Sequence, residues 1–96
     1  MIREYTWETY DEILLDFVKR FKNIRKRKGI TQKKLSEISS VSYASIKRFE
    51  QSGEISLSSL TKLLIAMNLQ GEIKNLLSNV KYQSIEEIIN GRKINK

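Results

Sequence analysis

The stretch that most constrains this chain runs from Thr31 to Glu50, TQKKLSEISSVSYASIKRFE. It reads as two short helices separated by a tight turn, each opening on a hydroxyl residue. Thr31 and Ser42 are the N-caps, because a side-chain oxygen there can accept a backbone N–H of the first turn. Leu35 and Ile38 form the apolar face of the first helix, Ser39-Ser40-Val41 the turn, and Val41 a plug into the core. Ile46 and Phe49 face inward on the second helix. Immediately upstream lies charge of one sign: from Lys19 to Lys34 there are nine Lys/Arg and no Asp or Glu.

That block accounts for the electrostatics of the whole chain. The net charge is +7, while residues 1–18 carry −4, residues 35–80 balance, and residues 81–96 carry +2. A concentrated positive block suits a polyanion such as a nucleic-acid backbone. The alternative is a solvated helix face. With no Cys and no His, disulfides, Cys/His metal sites, thiol nucleophiles and imidazole bases are excluded. No spacing suggests carboxylate-only or Ser/Lys chemistry, and no cofactor is expected. The acidic start MIREYTWETYDE lacks the apolar core of a signal peptide. The longest apolar run, Leu63 to Met67, is too short to span a bilayer. The expectation is a soluble, cytoplasmic, non-enzymatic protein.

Ninety-six residues without Pro and with only four Gly indicate one all-α domain. Helix one begins near Thr6 or Thr9, where Thr9 and Glu12 fit a capping box. Tyr10, Ile13, Leu14, Phe17, Val18, Phe21 and Ile24 recur at steps of three and four and predict a single buried stripe. Gly29 suits the helix end, with Ile30 making the hydrophobic contact that follows it. Gln51 to Glu54 reads as a loop. Ser56 caps helix four, with Leu57, Leu60, Leu63, Leu64 and Met67 inward and Asn68 as the stop. Helix five spans about 70–79, with Ile73, Leu76, Leu77 and Val80 apolar. Ser84-Ile85-Glu86-Glu87 opens a short extra helix ended by Gly91. The expected organisation is one domain over 1–91, with an N-terminal extension at about 6–18, a C-terminal extension at about 80–91, and a basic, disordered tail at 92–96.

Helices two and three carry the functional reading. Free N–H groups at a helix N-terminus bind phosphate, and Thr31/Gln32 and Ser42 supply two such termini. With Ile46 and Phe49 inward, helix three turns Tyr43, Ala44, Ser45, Lys47 and Arg48 outward. Arg48 can pair bidentately with guanine, Tyr43 and Ser45 can hydrogen-bond to bases or phosphates, and Ala44 can approach a thymine methyl. The alternative is a plain helical hairpin with a polar face.

Arg25-Lys26-Arg27-Lys28-Gly29-Ile30-Thr31-Gln32, then Leu35, Val41-Ser42, Ile46 and Phe49-Glu50, resembles the lambda-repressor-like helix-turn-helix family of the Cro/C1 or XRE type. The likeness covers about Phe17 to Met67. It implies a compact five-helix domain, a homodimer, and double-stranded DNA with operator half-sites about one helical turn apart. It further implies that Gln32 touches phosphate and that positions 42 to 45, 47 and 48 face DNA. Arg25 is read as scaffold, because the resemblance implies that its position forms a structural ion pair with that of Glu50; a DNA contact is the alternative reading. Lys26, Arg27, Lys28, Lys33 and Lys34 remain phosphate candidates. Two departures stand out: Ser40 replaces the usual turn Gly, and Ser36 the usual small Ala.

Arg48 to Leu57, followed by Leu60 and Leu63-Leu64, and the ending from Glu72 to Ile89, resemble the HipB-like branch. That branch implies an antitoxin and operon repressor acting beside a HipA-type serine/threonine kinase. Phage repressors and restriction-modification controllers share the same core. An adaptor that has lost DNA binding is a competing reading, and a basic membrane-surface protein a remoter one. Tyr5, Trp7 and Tyr10 could anchor an interface or pack on helices one and five. The Ile85/Ile88/Ile89 face could close the core or dimer, or meet a toxin.

Overall fold

A computed structural model describes residues 8–78. Within them the chain forms five helices: α1 (Tyr10–Arg27), α2 (Gln32–Ser39), α3 (Tyr43–Ser52), α4 (Leu57–Ala66) and α5 (Gln70–Lys74). The readings of Tyr5, Trp7, Val80, the segment opening at Ser84 and the 92–96 tail lie outside the described residues.

Four helices open on the hydroxyl residues expected. Thr9, Thr31, Ser42 and Ser56 each accept the backbone N–H three residues on, at 3.0–3.1 Å. Thr9 and Glu12 complete a reciprocal capping box, with the Thr9 N–H donating to Glu12 Oε1 at 3.0 Å. Helix ends are equally local. Past α1, the Ile30 N–H returns to the Arg25 carbonyl and the Gly29 N–H to that of Lys26. The same pairing recurs past α4, from Leu69 to Leu64 and from Asn68 to Ile65. Gly29 and Asn68 take the left-handed conformation that this closure requires.

The core is the cluster Val18, Phe21, Leu35, Val41, Ile46, Phe49, Leu63, Leu64 and Met67. Phe49 sits at its centre and meets Phe21 edge-on, ring centroids 5.0 Å apart, and Phe17 at 6.4 Å. Several residues expected inward lie outside it. On α1, Tyr10, Ile13 and Phe17 are exposed, and burial moves to Val18, Phe21 and Arg25. Leu14 is half-buried beside Gly53, and Phe17 still reaches the Phe49 ring.

On α2, Ile38 is exposed, and the inward row is Gln32, Leu35, Ser36 and Ser39. That row is mostly polar, which is why apolar patterning misplaces the face by about a third of a turn. Each polar member finds a partner. The Ser36 hydroxyl donates to the Val41 carbonyl at 2.7 Å, answering the departure at that position. The Ser39 hydroxyl accepts the Val41 N–H at 3.1 Å.

Leu57 occupies the first turn of α4 and is exposed. Helix α3 continues through Ser52, so the expected loop begins at Gly53. Helix α5 stops at Lys74, well short of residue 79, leaving Leu76 and Leu77 exposed with Leu77 at φ +69°.

Two turn residues show contrasting solutions to a left-handed backbone. Gly53 has φ +83°, and a Cβ there would lie 2.6 Å from Leu14 Cγ. Conformation and packing both demand glycine. Ser40 adopts φ +66° although it carries a Cβ and is exposed. Ser40→Gly should therefore stabilise the domain by about 0.5–1 kcal/mol, the relieved strain exceeding the glycine's extra unfolded-state entropy. A melting point equal to or below that of the parent would show that the strain at Ser40 does not exceed the entropy that glycine adds to the unfolded chain.

Candidate nucleic-acid interface

Helix α3 is anchored along one face by Ile46, Phe49 and Glu50, all buried, while Tyr43, Ala44, Lys47 and Arg48 are exposed and Ser45 is half-buried. The anchoring includes charge. Arg25 of α1 donates from Nε to Glu50 Oε2 at 2.7 Å and from Nη2 to Oε1 at 2.9 Å, a bidentate pair with side chains only 7% and 2% exposed. Its third nitrogen, Nη1, donates to the Ile30 carbonyl at 2.7 Å. Arg25 thus ties the end of α1, the following turn and α3 together, and its guanidinium has little surface left for DNA. Arg is suited to this buried fork because its planar donors match both carboxylate oxygens.

Gln32 joins the same cluster. Its Nε2 donates to Glu50 Oε1 at 2.8 Å. The half-buried side chain expected on phosphate thus spends one amide N–H within the protein, where it fixes the start of α2, and keeps the other. The backbone N–H groups of Gln32 and Lys33 remain for an anion, because the Thr31 cap takes only that of Lys34. At α3 the Ser42 cap takes the Ser45 N–H at 3.0 Å, which leaves those of Tyr43 and Ala44. The Gln32–Glu50 bond ties the start of α2 to α3.

The outward side chains are partly ordered by one another. The Ser42 hydroxyl donates to Ser45 Oγ at 2.8 Å. Lys47 Nζ lies 5.2 Å from the Tyr43 ring centroid, a cation–π contact that holds both on one side of the helix. Arg48, the residue expected to read guanine, donates from Nε to Glu54 Oε1 at 2.8 Å, and its Nη2 approaches the same oxygen. Glu54 stands in the loop after α3, within the Arg48–Leu57 stretch. No short-range pattern marks a carboxylate six residues beyond an arginine across a helix end.

The basic block divides by environment. Arg25 is buried, Arg20 pairs with Asp16 at 2.7 Å, and Lys34 lies 3.9 Å from Glu37. Lys26, Arg27, Lys28 and Lys33 are exposed and, among the described residues, form no ion pair.

An anchored α3, a capped α2 across a tight turn, and basic side chains on the outward face form the helix-turn-helix arrangement. A protein-family model described as helix-turn-helix matches residues 21–73, more than half of the chain. The chain belongs to the helix-turn-helix family of the Cro/C1 (XRE) type. The matched residues take in the end of α1, the whole of α2 to α4, and most of α5. As a member, the chain is a DNA-binding transcriptional regulator, with α3 in the place of the recognition helix. No curated protein and no solved structure matches it. Among the described residues, no helix is long and apolar enough to cross a membrane.

Proposed function

We propose that this helix-turn-helix protein is a sequence-specific repressor that binds a palindromic operator as a homodimer. The observation that carries this reading is α3. One face is locked by Ile46, Phe49 and the buried Glu50, while Tyr43, Ala44, Ser45, Lys47 and Arg48 line the other. A rigidly seated helix can present hydrogen-bonding side chains to base edges in the major groove in one register. Thr31, Lys33 and Ser42, with the free N–H groups beside them, supply phosphate contacts that position the helix and carry no sequence information.

The finer reading is that of antitoxin and autorepressor for a HipA-type serine/threonine kinase. Its support is the resemblance of residues 48–57 and of the chain's ending to the HipB-like branch. It predicts a stable complex with a kinase encoded in the same operon, detectable on co-expression, and weaker operator occupancy when the kinase is withheld. A kinase that elutes separately would leave the repressor without the antitoxin role.

The primary test is titration of the protein's own upstream DNA against a scrambled duplex at about 150 mM salt, where a preference of about 10³-fold or more marks specific binding. Equal, weak, salt-sensitive affinities would reduce the interaction to charge attraction and favour an adaptor. Arg48→Ala should cost about 1–3 kcal/mol of discrimination at one base pair per half-site, whereas Lys33→Ala should weaken both duplexes alike and flatten the salt dependence. An unaltered base preference in Arg48→Ala would remove Arg48 from base readout.

A further inference from the structure

We propose that Glu54 is a specificity-determining residue: it positions the Arg48 guanidinium for base reading and withholds it from nonspecific phosphate. The inference rests on the operator-binding reading above and identifies a residue outside the recognition helix on which that reading depends.

The geometry is as follows. Both Arg48 contacts, from Nε and from Nη2, go to a single oxygen, Glu54 Oε1. The carboxylate therefore occupies the Nε/Nη2 edge of the guanidinium. The opposite Nη1/Nη2 edge keeps three of the five N–H donors, in the fork that matches guanine O6 and N7. The pair orients Arg48 without consuming its reading edge.

Glu54 is itself held. Gly53 turns the chain with φ +83°, in space that Leu14 closes to any larger residue. The Ser52 hydroxyl donates to the Arg48 carbonyl at 2.9 Å and accepts the Glu54 N–H at 3.3 Å. Helix end, turn and carboxylate thus form one short linked unit. The ion pair flanks a cleft also lined by Ser45, which links it to the outward face of α3.

Folding alone gives little reason for such a pair. Its side chains are 71% and 60% exposed, and exposed pairs contribute little to stability. A carboxylate on a phosphate-facing surface also opposes DNA binding through its charge. Both properties fit a residue whose benefit is discrimination. An unrestrained Arg48 would meet any phosphate, and an Arg48 held by Glu54 favours a partner that matches its remaining edge.

The test measures affinities of the full chain for its own upstream duplex and for a scrambled one, at fixed salt, in the parent, Glu54→Gln, Glu54→Asp, Arg48→Ala and the Arg48→Ala/Glu54→Gln double variant. Glu54→Gln should bind the scrambled duplex more tightly and lose about two- to fivefold of the preference, the scale of an exposed ion pair. Glu54→Asp keeps the charge but withdraws the carboxylate by one methylene, and should lose preference as well. In the Arg48→Ala background, Glu54→Gln should leave the preference unchanged. Melting points close to the parent's are expected throughout, given the exposure of both residues. A parent that discriminates while Glu54→Gln keeps its full preference would overturn this inference alone. So would an Asp variant indistinguishable from the parent, which would reduce Glu54 to a screening charge, or an equal loss without Arg48, which would make Glu54 a direct contact. A parent with no preference would overturn the operator-binding reading, and this inference with it.

Discussion

Glu50→Ala is expected to lower the unfolding free energy by about 3–5 kcal/mol, because it strands the buried Arg25 guanidinium with an uncompensated charge. After the substitution Arg25 would keep only the Ile30 carbonyl, and Gln32 Nε2 would lose its acceptor. In a domain this small, each 1 kcal/mol moves the melting point by about 4–8 °C. A loss of this size is therefore a large share of total stability. Glu37→Ala is the control, since Glu37 is exposed and lies 3.9 Å from Lys34 in a surface pair. Thermal melting of the two variants decides the matter: equal midpoints would mean that the Arg25–Glu50 pair contributes no more than an exposed one. The same argument separates Arg25 from its neighbours. Arg25→Ala should melt well below Lys26→Ala, although both residues belong to one run of positive charge.

Phe49→Ala should produce a loss of similar scale, about 3–5 kcal/mol, from lost burial and the cavity left behind. Phe49 is only 1% exposed and contacts the rings of Phe17 and Phe21 of α1. It lies between the arginine expected to read bases and the glutamate that ties α3 to α1. Its removal loosens the helix that, on the proposed reading, presents Arg48 in one register. The denaturant midpoint should fall with the m-value unchanged if unfolding stays two-state. A loss below about 1 kcal/mol would show that α1 and α3 collapse to fill the space. Phe49→Leu, which keeps most of the apolar volume, should fall between the variant and the parent.

The two effects explain how a short helix can act as a reading head. Ten residues are too few to hold a helix by propensity alone. The rigidity of α3 comes from an aromatic contact and a buried ion pair, both reaching back to α1. The cost is charge and polarity in the interior. It is offset because each buried partner is matched: among the described residues, no buried side-chain nitrogen or oxygen lacks a hydrogen bond.

The sequence by itself determined what depends on neighbours within about four residues. Thr9, Thr31, Ser42 and Ser56 could be read as caps because a hydroxyl reaches only its own first turn. Gly29 and Asn68 could be read as stops because the closing bonds are equally local. Ile46 and Phe49 followed from helical period, and so did the outward set on α3. The resemblance of the motif placed Arg25 with Glu50, which no local rule would have joined.

Only the tertiary structure decided which face of each helix is buried, and how far. Periodicity ranks the faces of a helix by apolarity, but burial depends on what stands opposite. Ile38, Leu57, Tyr10 and Ile13 are left exposed by the elements that stand opposite them among the described residues. The polar row Gln32, Ser36 and Ser39 turns inward because Glu50 and the Val41 backbone await it. The partners of Gln32 and Arg48 were hidden for the same reason. Gln32 meets Glu50 across two helices, and Arg48 meets Glu54 around the Gly53 turn. Caps and stops are satisfied within a single turn of backbone, whereas these partnerships exist only once separate elements have been brought together.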